Sequence, residues 1–381
     1  MKINVIGGGP AGLYFALLMR RRGAAREVNV FERNPPGATF GWGVVFSGKT
    51  MSNLREADPE SHARISQSFE TWDNVDVVYR GRRITVRGNH FNGIARIRLL
   101  GILQERCREL GVGLHFEAGA DDVDAYADCD LLVGADGVNS GVRRRYAEEF
   151  RPVLEAGRNK YVWYGTRQLF HGLTLTFRET EGGVFSAHSY KFDKELSTFI
   201  VECDEETWLR AGFDRLGDAE TRARLAEVFA PDLGGRELLS NNSKWINFLL
   251  VRNERWSGGR VVLLGDALHT AHFSIGSGTK LALEDSIALA DCFDGRRDVP
   301  AALAEFERVR RPVVEEYQRA ARDSRLWFEN VKDYIHLEPL AFAYSLMTRS
   351  GKIDFESLRR RDPAFAAEYE AFVAGAAGTT G

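Results

Sequence analysis

Short apolar runs and a glycine-rich turn alternate over the first part of the chain. Residues 2–6 are an apolar run typical of a buried strand, and residues 7–12 contain four glycines. Apolar side chains then recur at helical spacing over residues 13–22, and a second strand-like run covers residues 28–31. The pattern predicts a strand–turn–helix–strand unit at the start of a parallel sheet.

The rest of the chain divides into a continuation of this sheet and a separate β-rich region. A leucine stripe over residues 96–110 predicts a helix. Further strands of the first sheet are predicted at residues 112–116, 130–133 and 260–264. Residues 160–203 contain four β-rich runs separated by turn residues, which predict a mostly antiparallel sheet inserted into the first fold. The pattern after residue 301 is helical and charged.

Gly7, Gly9 and Gly12 have the spacing of a dinucleotide-binding turn, and Glu32 ends the next predicted strand. Glycines let backbone N–H groups approach a pyrophosphate at the positive end of a helix dipole. A carboxylate at the position of Glu32 accepts hydrogen bonds from a ribose but repels a 2′-phosphate, so NADP is disfavoured. NAD and FAD both stay open at this point.

Composition argues against several classes of function. The formal net charge of −3 argues against electrostatic binding of nucleic acid. The four cysteines are dispersed and the histidines lack metal-ligand spacing, so no metal site is predicted. The N-terminus has no signal-peptide pattern and no apolar stretch approaches the length of a bilayer span. We therefore expect a cytoplasmic protein without a membrane partner.

Two later segments resemble motifs of a known family. Residues 130–143 resemble the Asp-Gly motif, and residues 262–269 the Gly-Asp motif, of the group A flavoprotein aromatic hydroxylases. With the glycine turn, they follow the family's order and approximate spacing. The resemblance implies non-covalent FAD and transient reduction by NADH or, less favoured, NADPH. It also implies that O2 adds at flavin C4a and that the hydroperoxide hydroxylates an aromatic ring.

The resemblance also adds a domain architecture to the predicted fold. It implies an α/β architecture: a Rossmann-like FAD-binding domain, an inserted and mainly antiparallel β-sheet domain for the substrate, and C-terminal helices. We assign residues 1–70, 90–158 and 255–325 to the FAD-binding domain and residues 71–89 and 159–254 to the substrate domain. Residues 326–373 are predicted to form the C-terminal helical segment, and residues 374–381 a disordered tail.

The implied cofactor site collects residues from all three motifs. Asp266 is expected to accept a hydrogen bond from a ribityl hydroxyl, Arg96 to contact the flavin, and Asp136 to serve both FAD and the nicotinamide. The turn through Gly276 and Gly278 is expected to aim backbone N–H groups at the flavin. The predicted cofactor-binding residues are Gly7, Gly9, Pro10, Ala11, Gly12, Glu32, Arg33, Trp42, Arg96, Asp136, Gly137, Gly265, Asp266, Gly276, Gly278 and Thr279.

Downstream segments resemble the hydroxylases of aromatic acyl-CoA thioesters, which are the salicylyl-CoA 5-hydroxylases and the monooxygenase part of anthraniloyl-CoA monooxygenases. The segments are residues 251–256, 269–285, 327–330 and 346–350. They imply hydroxylation of salicylyl-CoA to gentisyl-CoA by a monomer or homodimer. A thioester predicts an open, basic channel, and the candidates for binding the CoA phosphates are Arg82, Arg83, Arg158 and Lys160.

Two alternatives stay open. Residues 41–45, 157–166 and 197–203 also resemble the indole hydroxylase of violacein biosynthesis. An indole substrate predicts a closed aromatic pocket. The second alternative belongs to a different functional class: a flavin-binding electron-transfer protein without hydroxylase activity.

The predicted catalytic residues, His269, His272 and Ser274, follow the Gly-Asp motif. A histidine there can hydrogen-bond a phenol oxygen and favour its anion, although loop histidines are often satisfied by the backbone. His188 and Tyr190 lie on a predicted strand and are interpreted as core residues, because alternate strand residues face inward.

Overall fold

A computed structural model describes residues 1–118, 122–295 and 298–378. Its strands are β1 (Lys2–Ile6), β2 (Glu27–Glu32), β3 (Gly43–Ser47), β4 (Glu70–Trp72), β5 (Val75–Tyr79), β6 (Arg82–Val86), β7 (Phe91–Ala95), β8 (Gly113–Phe116), β9 (Leu131–Gly134), β10 (Pro152–Thr166), β11 (Leu173–Thr180), β12 (Gly183–Lys191), β13 (Ser197–Cys203), β14 (Leu238–Leu239), β15 (Ile246–Asn253), β16 (Ser257–Gly258) and β17 (Val261–Leu263).

The helices alternate with these strands at first and then dominate the C-terminal part. They are α1 (Pro10–Arg21), α2 (Gly48–Ala57), α3 (Pro59–Ser66), α4 (Arg96–Glu109), α5 (Gly141–Arg145), α6 (Ala147–Phe150), α7 (Glu205–Arg210), α8 (Asp218–Val228), α9 (Ala230–Leu233), α10 (Gly278–Cys292), α11 (Val299–Glu329), α12 (Pro339–Thr348), α13 (Phe355–Arg361) and α14 (Pro363–Gly378). Short 3-10 turns occur at Val123–Tyr126, Gly265–Ala267, Phe273–Ile275 and Val331–Asp333.

The first sheet brings the three sequence motifs together. Its strand order is β16-β17-β9-β1-β2-β8, and β1, β2, β8, β9 and β17 pair in parallel. The carboxyl ends of neighbouring parallel strands meet at one edge of a sheet. The turn after β1, the loop after β9 and the loop after β17 therefore lie side by side. This arrangement confirms the predicted α/β fold class.

The second sheet is the predicted insertion. Its order is β14-β10-β13-β12-β11-β5-β6, with β15 paired to β10. Strands β10 to β13 are antiparallel neighbours, whereas β5 pairs in parallel with β11. A third, three-stranded sheet has the order β3-β7-β4. The second sheet is thus mainly antiparallel, and it recruits β5 and β6 from a part of the chain far from β11.

The two large sheets are held by separate cores. The first core buries the apolar side chains of β1, β9 and β17 against α1, α4 and α10. One core of the second sheet, which includes Val162, Tyr164 and Phe199, packs against α7 to α9. Another packs the β5–β6–β11 end against α11, α12 and the helices that follow. Since apolar burial is the main favourable term in folding, these contacts stabilise each sheet against its own set of helices.

Two findings concern the C-terminal helix and the apolar character of the helices. Helix α14 continues through Gly378, into the tail predicted to be disordered from residue 374, while residues 379–381 lie outside the described part. Among the described residues, no helix combines the length and apolar character required to cross a bilayer.

Candidate active site

A cavity of about 720 Å3 lies between the motif edge of the first sheet and one face of the second sheet. Its first wall contains Gly9, Pro10, Ala11, Arg96, Ala135, Gly137, Asp266 and the segment from Gly276 to Thr279. Its opposite wall is formed by side chains from the second sheet, and residues after α12 form part of its border. The cavity therefore brings together nine of the sixteen predicted cofactor-binding residues: Gly9, Pro10, Ala11, Arg96, Gly137, Asp266, Gly276, Gly278 and Thr279.

The glycine turn is shaped by close backbone contacts. Gly7 has φ +111°, and a Cβ there would lie 2.2 Å from the carbonyl oxygen of Ala135. A Cβ on Gly12 would lie 2.1 Å from the carbonyl oxygen of Gly7. At Gly9, by contrast, a Cβ would meet nothing within 4 Å. Gly7 and Gly12 are thus required by the turn, whereas Gly9 leaves open space beside the cavity.

The N-terminus of α1 adjoins this open space. Its N-cap residue, Gly9, provides no side-chain cap, and Pro10 occupies the first helical position. Glu32 accepts hydrogen bonds from the N–H of Gly8 at 2.7 Å and from the N–H of Asn34 at 2.8 Å. Uncapped N–H groups and the helix dipole suit an anionic group such as a pyrophosphate. Glu32 stabilises the turn and keeps lone pairs available to a ribose.

Asp266 lies at the centre of the first wall. Its side chain opens to the cavity, and it has no hydrogen bond from any described residue. Burial raises the pKa of Asp266, and the nearby charge of Arg96 opposes the rise. For Arg96, burial lowers the pKa and Asp266 opposes the shift. A carboxylate that is exposed to the cavity and lacks a protein partner fits a ligand that supplies a hydroxyl donor.

A second helix N-terminus reaches the same wall. Gly276 has φ +61°, a left-handed conformation that glycine adopts without strain, and α10 begins two residues later at Gly278. Its N-cap Ser277 makes no side-chain cap, and Thr279 also lines the cavity. Free N–H groups at this end favour negative charge in the adjoining space.

The other predicted cofactor residues have different surroundings. Asp136 accepts hydrogen bonds from Ser140 Oγ at 2.5 Å and from the N–H of Gly141 at 2.6 Å, so it holds the loop before α5. Arg33 is exposed beside Glu32. Trp42 packs against Gly165, since a Cβ there would lie 2.6 Å from the indole. Neither Arg33 nor Trp42 contributes to the cavity wall.

Together, these features fit FAD. The uncapped α1 N-terminus beside Gly9 suits its phosphates, the carboxylate of Asp266 suits its polyol chain, and the α10 N-terminus suits an anionic ring system. Gly265, with φ +57°, approaches α1 closely, because a Cβ there would lie 3.0 Å from that of Ala11. The site of each group is thus assembled mainly from backbone atoms.

The opposite wall follows the alternation of the second sheet. Tyr161 and Trp163 of β10, Ile200 of β13, and His188 and Tyr190 of β12 line the cavity. The intervening residues of the same strands belong to the core against α7 to α9. The sequence leads us to expect that one face of the strand with His188 and Tyr190 meets the flavin, but Tyr161, Trp163 and Ile200 were missed. Both faces of these strands are apolar or aromatic, so the alternation does not reveal which face borders a ligand.

Two tyrosines on this wall remain protonated at neutral pH. Burial raises the pKa of Tyr161 to about 12, and the charges of Asp266 and Glu202 add to the rise. Burial also raises the pKa of Tyr190, whose hydroxyl donates to the carbonyl oxygen of Gly43 at 2.9 Å. Tyr190 thereby joins the second sheet to β3, while Tyr161 keeps its hydroxyl for the cavity.

His188 lies on the wall with a buried acidic partner. Its Nε2 is 2.8 Å from Glu202 Oε1, and the two side chains are 5% and 1% exposed. Burial favours the neutral form of Glu202, but the hydrogen bond from His188 prevails and the pKa of Glu202 is lowered. The placement differs from the core role expected from the sequence, since the imidazole borders the cavity.

The predicted catalytic histidines do not border the cavity, although Ser274 does. His269 lies behind the first wall, where its Nε2 is 2.8 Å from Asp285 Oδ2 but is not aligned for a hydrogen bond. His272 shares a hydrogen bond of 2.8 Å with Ser274 Oγ. Burial lowers the pKa of His272 to about 3, so this side chain is neutral at physiological pH.

Basic residues near the C-terminus form part of the cavity border. The cationic side chains of this segment that line the cavity, here called the basic rim, are Arg349, Lys352 and Arg361. Lys352 also forms an ion pair with Glu316 at 3.1 Å. Burial lowers the pKa of Arg349 to about 10, so it stays charged at neutral pH. Of the arginine and lysine candidates for CoA binding, Arg83, Arg158 and Lys160 form ion pairs elsewhere, and none of the four, Arg82 included, lines the cavity.

Comparisons with known proteins agree with this geometry. Residues 108–321 match the family described as FAD binding domain. A salicyloyl-CoA 5-hydroxylase from a Streptomyces species is 42% identical over 96% of this chain and 72% of its own length. A 3-hydroxy-4-methyl-anthranilyl-(aryl-carrier protein) 5-monooxygenase from Streptosporangium sibiricum is 39% identical over 94% of this chain and 97% of its own.

Two further matches bear on the substrate and the fold. The protodeoxyviolaceinate monooxygenase of Chromobacterium violaceum is 36% identical over 92% of this chain and 94% of its own length. The crystal structure of a 2-methyl-3-hydroxypyridine-5-carboxylic acid oxygenase variant has a TM-score of 0.72 at 17% identity, covering 94% of this chain and 98% of that one. At that identity the likeness concerns the fold.

Proposed function

The chain belongs to the FAD-binding aromatic monooxygenases, and on that premise we propose that its substrate is an aromatic acyl thioester. The specific proposal is 5-hydroxylation of salicylyl-CoA to gentisyl-CoA, with NADH as the reductant. FAD, when bound, supplies the reduction of dioxygen and the transfer of one oxygen atom. The rest of the proposal concerns what the residues of this chain do.

One observation carries the thioester proposal: the cavity has an aromatic wall and, at its C-terminal border, the basic rim. Trp72, Trp163 and Tyr190 offer apolar faces to a ring. Arg361 is exposed, and its Nη1 donates only a 3.3 Å hydrogen bond to Asn89 Oδ1. A ligand with an aromatic ring and a phosphate-bearing tail matches both features, because guanidinium groups bind phosphate in a planar, bidentate manner.

Different residues of the chain then bind FAD and position the substrate. The turn around Gly9 and the two helix N-termini hold the phosphates and the charged ring system of FAD. The aromatic wall positions the substrate ring and keeps water away, which protects reactive oxygen chemistry from wasteful side reactions. No nucleophilic side chain is required for an oxygen transfer of this kind.

The test follows NADH oxidation by the FAD-loaded protein with salicylyl-CoA, anthraniloyl-CoA and free salicylate, with products identified by mass. We expect hydroxylation of the salicylyl thioester and little turnover of the free acid. Turnover of free acids but not thioesters overturns the substrate proposal. NADH oxidation with no hydroxylated product from any aromatic substrate supports an electron-transfer role instead.

Charge variants test the basic rim. Arg361→Gln should raise KM for salicylyl-CoA about 10- to 150-fold, since a hydrogen bond to a charged group contributes about 1.5–3 kcal/mol. KM for the N-acetylcysteamine thioester, which lacks phosphates, should not change. Arg82→Gln is the matched control, because Arg82 is an exposed arginine of the second sheet away from the cavity. Equal effects of the two variants contradict the assignment.

An indole derivative is the second candidate substrate. The aromatic wall suits an indole ring, and the Chromobacterium violaceum relative is named for action on protodeoxyviolaceinate. The basic rim has no role with an uncharged indole. Faster turnover of an indole substrate than of thioesters, unaffected by Arg361→Gln, would favour this candidate.

A further inference from the structure

The pair formed by His188 and Glu202 has the geometry of a base with its positioning carboxylate. The two residues lie on the same face of neighbouring strands, since His188 is opposite Ile200 and Glu202 is two residues further along β13. Nε2 of His188 is 2.8 Å from Glu202 Oε1. The second carboxylate oxygen accepts a hydrogen bond from Asn159 Nδ2 at 3.3 Å. Glu202 is therefore held from both sides.

This arrangement selects one tautomer of the imidazole. A carboxylate that accepts a hydrogen bond from Nε2 leaves the lone pair on Nδ1. No described residue hydrogen-bonds Nδ1, and the side chain borders the cavity. Phe273 and Phe328 flank the imidazole at ring-centroid distances of 5.3 and 4.7 Å. The free nitrogen is thus available to a ligand in an apolar setting.

Other titratable groups on the cavity wall are less suited to accept a proton. The phenols of Tyr161 and Tyr190 are protonated at neutral pH. Lys280 is paired with Glu284 at 2.7 Å, and Asp266 belongs to the FAD side. The cationic groups of the wall, Arg96, Arg349, Arg361 and Lys352, carry no lone pair at neutral pH.

We propose that His188 accepts the proton of a ring hydroxyl on the substrate and that Glu202 is its positioning residue. The inference rests on the proposed function and narrows the substrate class to rings with an ionisable hydroxyl. The O–H bond breaks, its electron pair stays on oxygen, and the proton forms an N–H bond at Nδ1. Glu202 stabilises the resulting imidazolium. The phenolate is a more electron-rich ring and therefore a better acceptor of electrophilic oxygen.

The charged and titratable groups around His188 and Glu202 determine how a pH-dependent measurement at this site is interpreted. Glu202, His272, Tyr161, Asp266, Arg325 and Arg349 are the groups coupled electrostatically to this site. Arg349 stays cationic and His272 stays neutral across the neutral range. The ionisation that we expect in the neutral pH range is therefore the transfer of a proton from the substrate hydroxyl to His188.

Ionisation of the bound substrate is measured directly by difference absorbance. Salicylyl-CoA is added to the FAD-loaded protein without NADH, so that no turnover occurs, and its phenolate band is followed as a function of pH. We expect the ionisation midpoint of the bound thioester to lie below that of the free thioester. In His188→Gln it should rise by about 1–2 pH units, because the base that favours the anion is missing.

Turnover gives an independent readout. At neutral pH, kcat of His188→Gln should fall about 10²- to 10⁴-fold, which is the usual contribution of a general base. It should recover partly at higher pH, where the phenol ionises unaided, while KM changes little. Glu202→Gln keeps the side-chain shape and should move both the midpoint and kcat in the same direction by a smaller amount.

Ser189→Ala is the matched control, because Ser189 is the next residue on β12, fully buried on the other face with no partner for its hydroxyl. It should leave the phenolate midpoint unchanged. If the parent hydroxylates the thioester but His188→Gln and Glu202→Gln keep its midpoint and pH profile, the base role is wrong and the proposed function stands. If the parent neither binds nor hydroxylates the thioester, the proposed function fails and the inference fails with it.

Discussion

The two walls of the cavity are built from different parts of the polypeptide. The wall assigned to FAD is mostly backbone, with the turn at Gly7 to Gly12, the turn at Gly276 and two uncapped helix N-termini. The wall assigned to the substrate is made of side chains that alternate along β10 to β13. One wall recognises groups common to every FAD molecule, whereas the other is free to vary with the substrate.

This difference also determines how each wall responds to mutation. A backbone-built site depends on a few positions where no side chain fits, so a single methyl group can destroy it. A side-chain wall distributes its contacts over many residues, so most single changes should alter substrate handling more than folding. The predictions below test this contrast in order of decreasing effect.

The largest effect is expected for Gly12→Ala. Its Cβ would lie 2.1 Å from the backbone oxygen of Gly7, which cannot move without opening the turn. We expect a loss of about 3 kcal/mol or more in the free energy of unfolding, together with a loss of bound FAD, measured by denaturant titration and by visible absorbance.

Gly9→Ala is the control for this change. Its Cβ meets no protein atom within 4 Å, so the FAD-free protein should unfold at the same denaturant concentration as the parent. Only its affinity for FAD should fall, because the methyl group enters the space beside the α1 N-terminus. Equal destabilisation by both substitutions would contradict the distinction between the two glycines.

Asp266→Ala should weaken FAD binding without unfolding the protein. Removal of one hydrogen bond to a charged group costs about 1.5–3 kcal/mol, which corresponds to about a 10- to 150-fold increase in Kd. Because Asp266 is exposed to the cavity and has no hydrogen bond from any described residue, the FAD-free protein should be about as stable as the parent. Flavin fluorescence titration measures the Kd, and unchanged affinity would remove Asp266 from the cofactor site.

His272 should make stability depend on pH. Burial lowers its pKa to about 3 from the ordinary 6.5, so between these values the unfolded chain binds a proton that the folded chain does not. Stability is therefore complete above about pH 6.5 and is lost as pH falls, by about 1.4 kcal/mol per pH unit. At pH 5 the loss from this residue should be about 2 kcal/mol.

His272→Asn should flatten this part of the profile. The shorter amide preserves an acceptor near Ser274, which is 2.8 Å from Nδ1 in the parent. Urea titrations of both proteins at several pH values measure their free energies of unfolding. The contributions of other titratable groups cancel in the difference between parent and variant. Parallel profiles for parent and variant would show that His272 is not the group responsible.

Tyr190→Phe should have the smallest effect. It removes the hydrogen bond of 2.9 Å to the carbonyl oxygen of Gly43, at a cost of about 1 kcal/mol in the free energy of unfolding. FAD affinity should not change, whereas KM for the aromatic substrate should. A change confined to FAD affinity would place Tyr190 functionally on the other wall.

The FAD wall was largely predictable from the sequence for a physical reason. Steric demands on a backbone turn act on adjacent residues, so Gly7, Gly9 and Gly12 form a local pattern. Asp266, which follows the end of β17, was assigned instead from the resemblance of residues 262–269 to the family's Gly-Asp motif. The order of the parallel strands then follows from the general rule that ligands bind at the carboxyl ends of such sheets.

The substrate wall was much less predictable. Tyr161 and Tyr164 are both aromatic, yet one faces the cavity and the other the core against α7 to α9. Nothing local distinguishes them, because both faces of β10 are covered by protein. Likewise, the basic rim lies far along the chain from the second sheet, while Arg158, chosen from the sequence, is engaged with Glu329 at 3.2 Å.

The parallel pairing of β5 with β11 has a consequence for biosynthesis. Val75 pairs with Leu173, and the chain between them includes strands β8 and β9 of the first sheet and helix α4. Strand β5 therefore leaves the ribosome before β11 has been translated, and its edge toward β11 stays unpaired until then. Such non-local pairing slows folding and exposes an aggregation-prone edge. The first sheet waits longer still, because its strand β17 follows β11 along the chain.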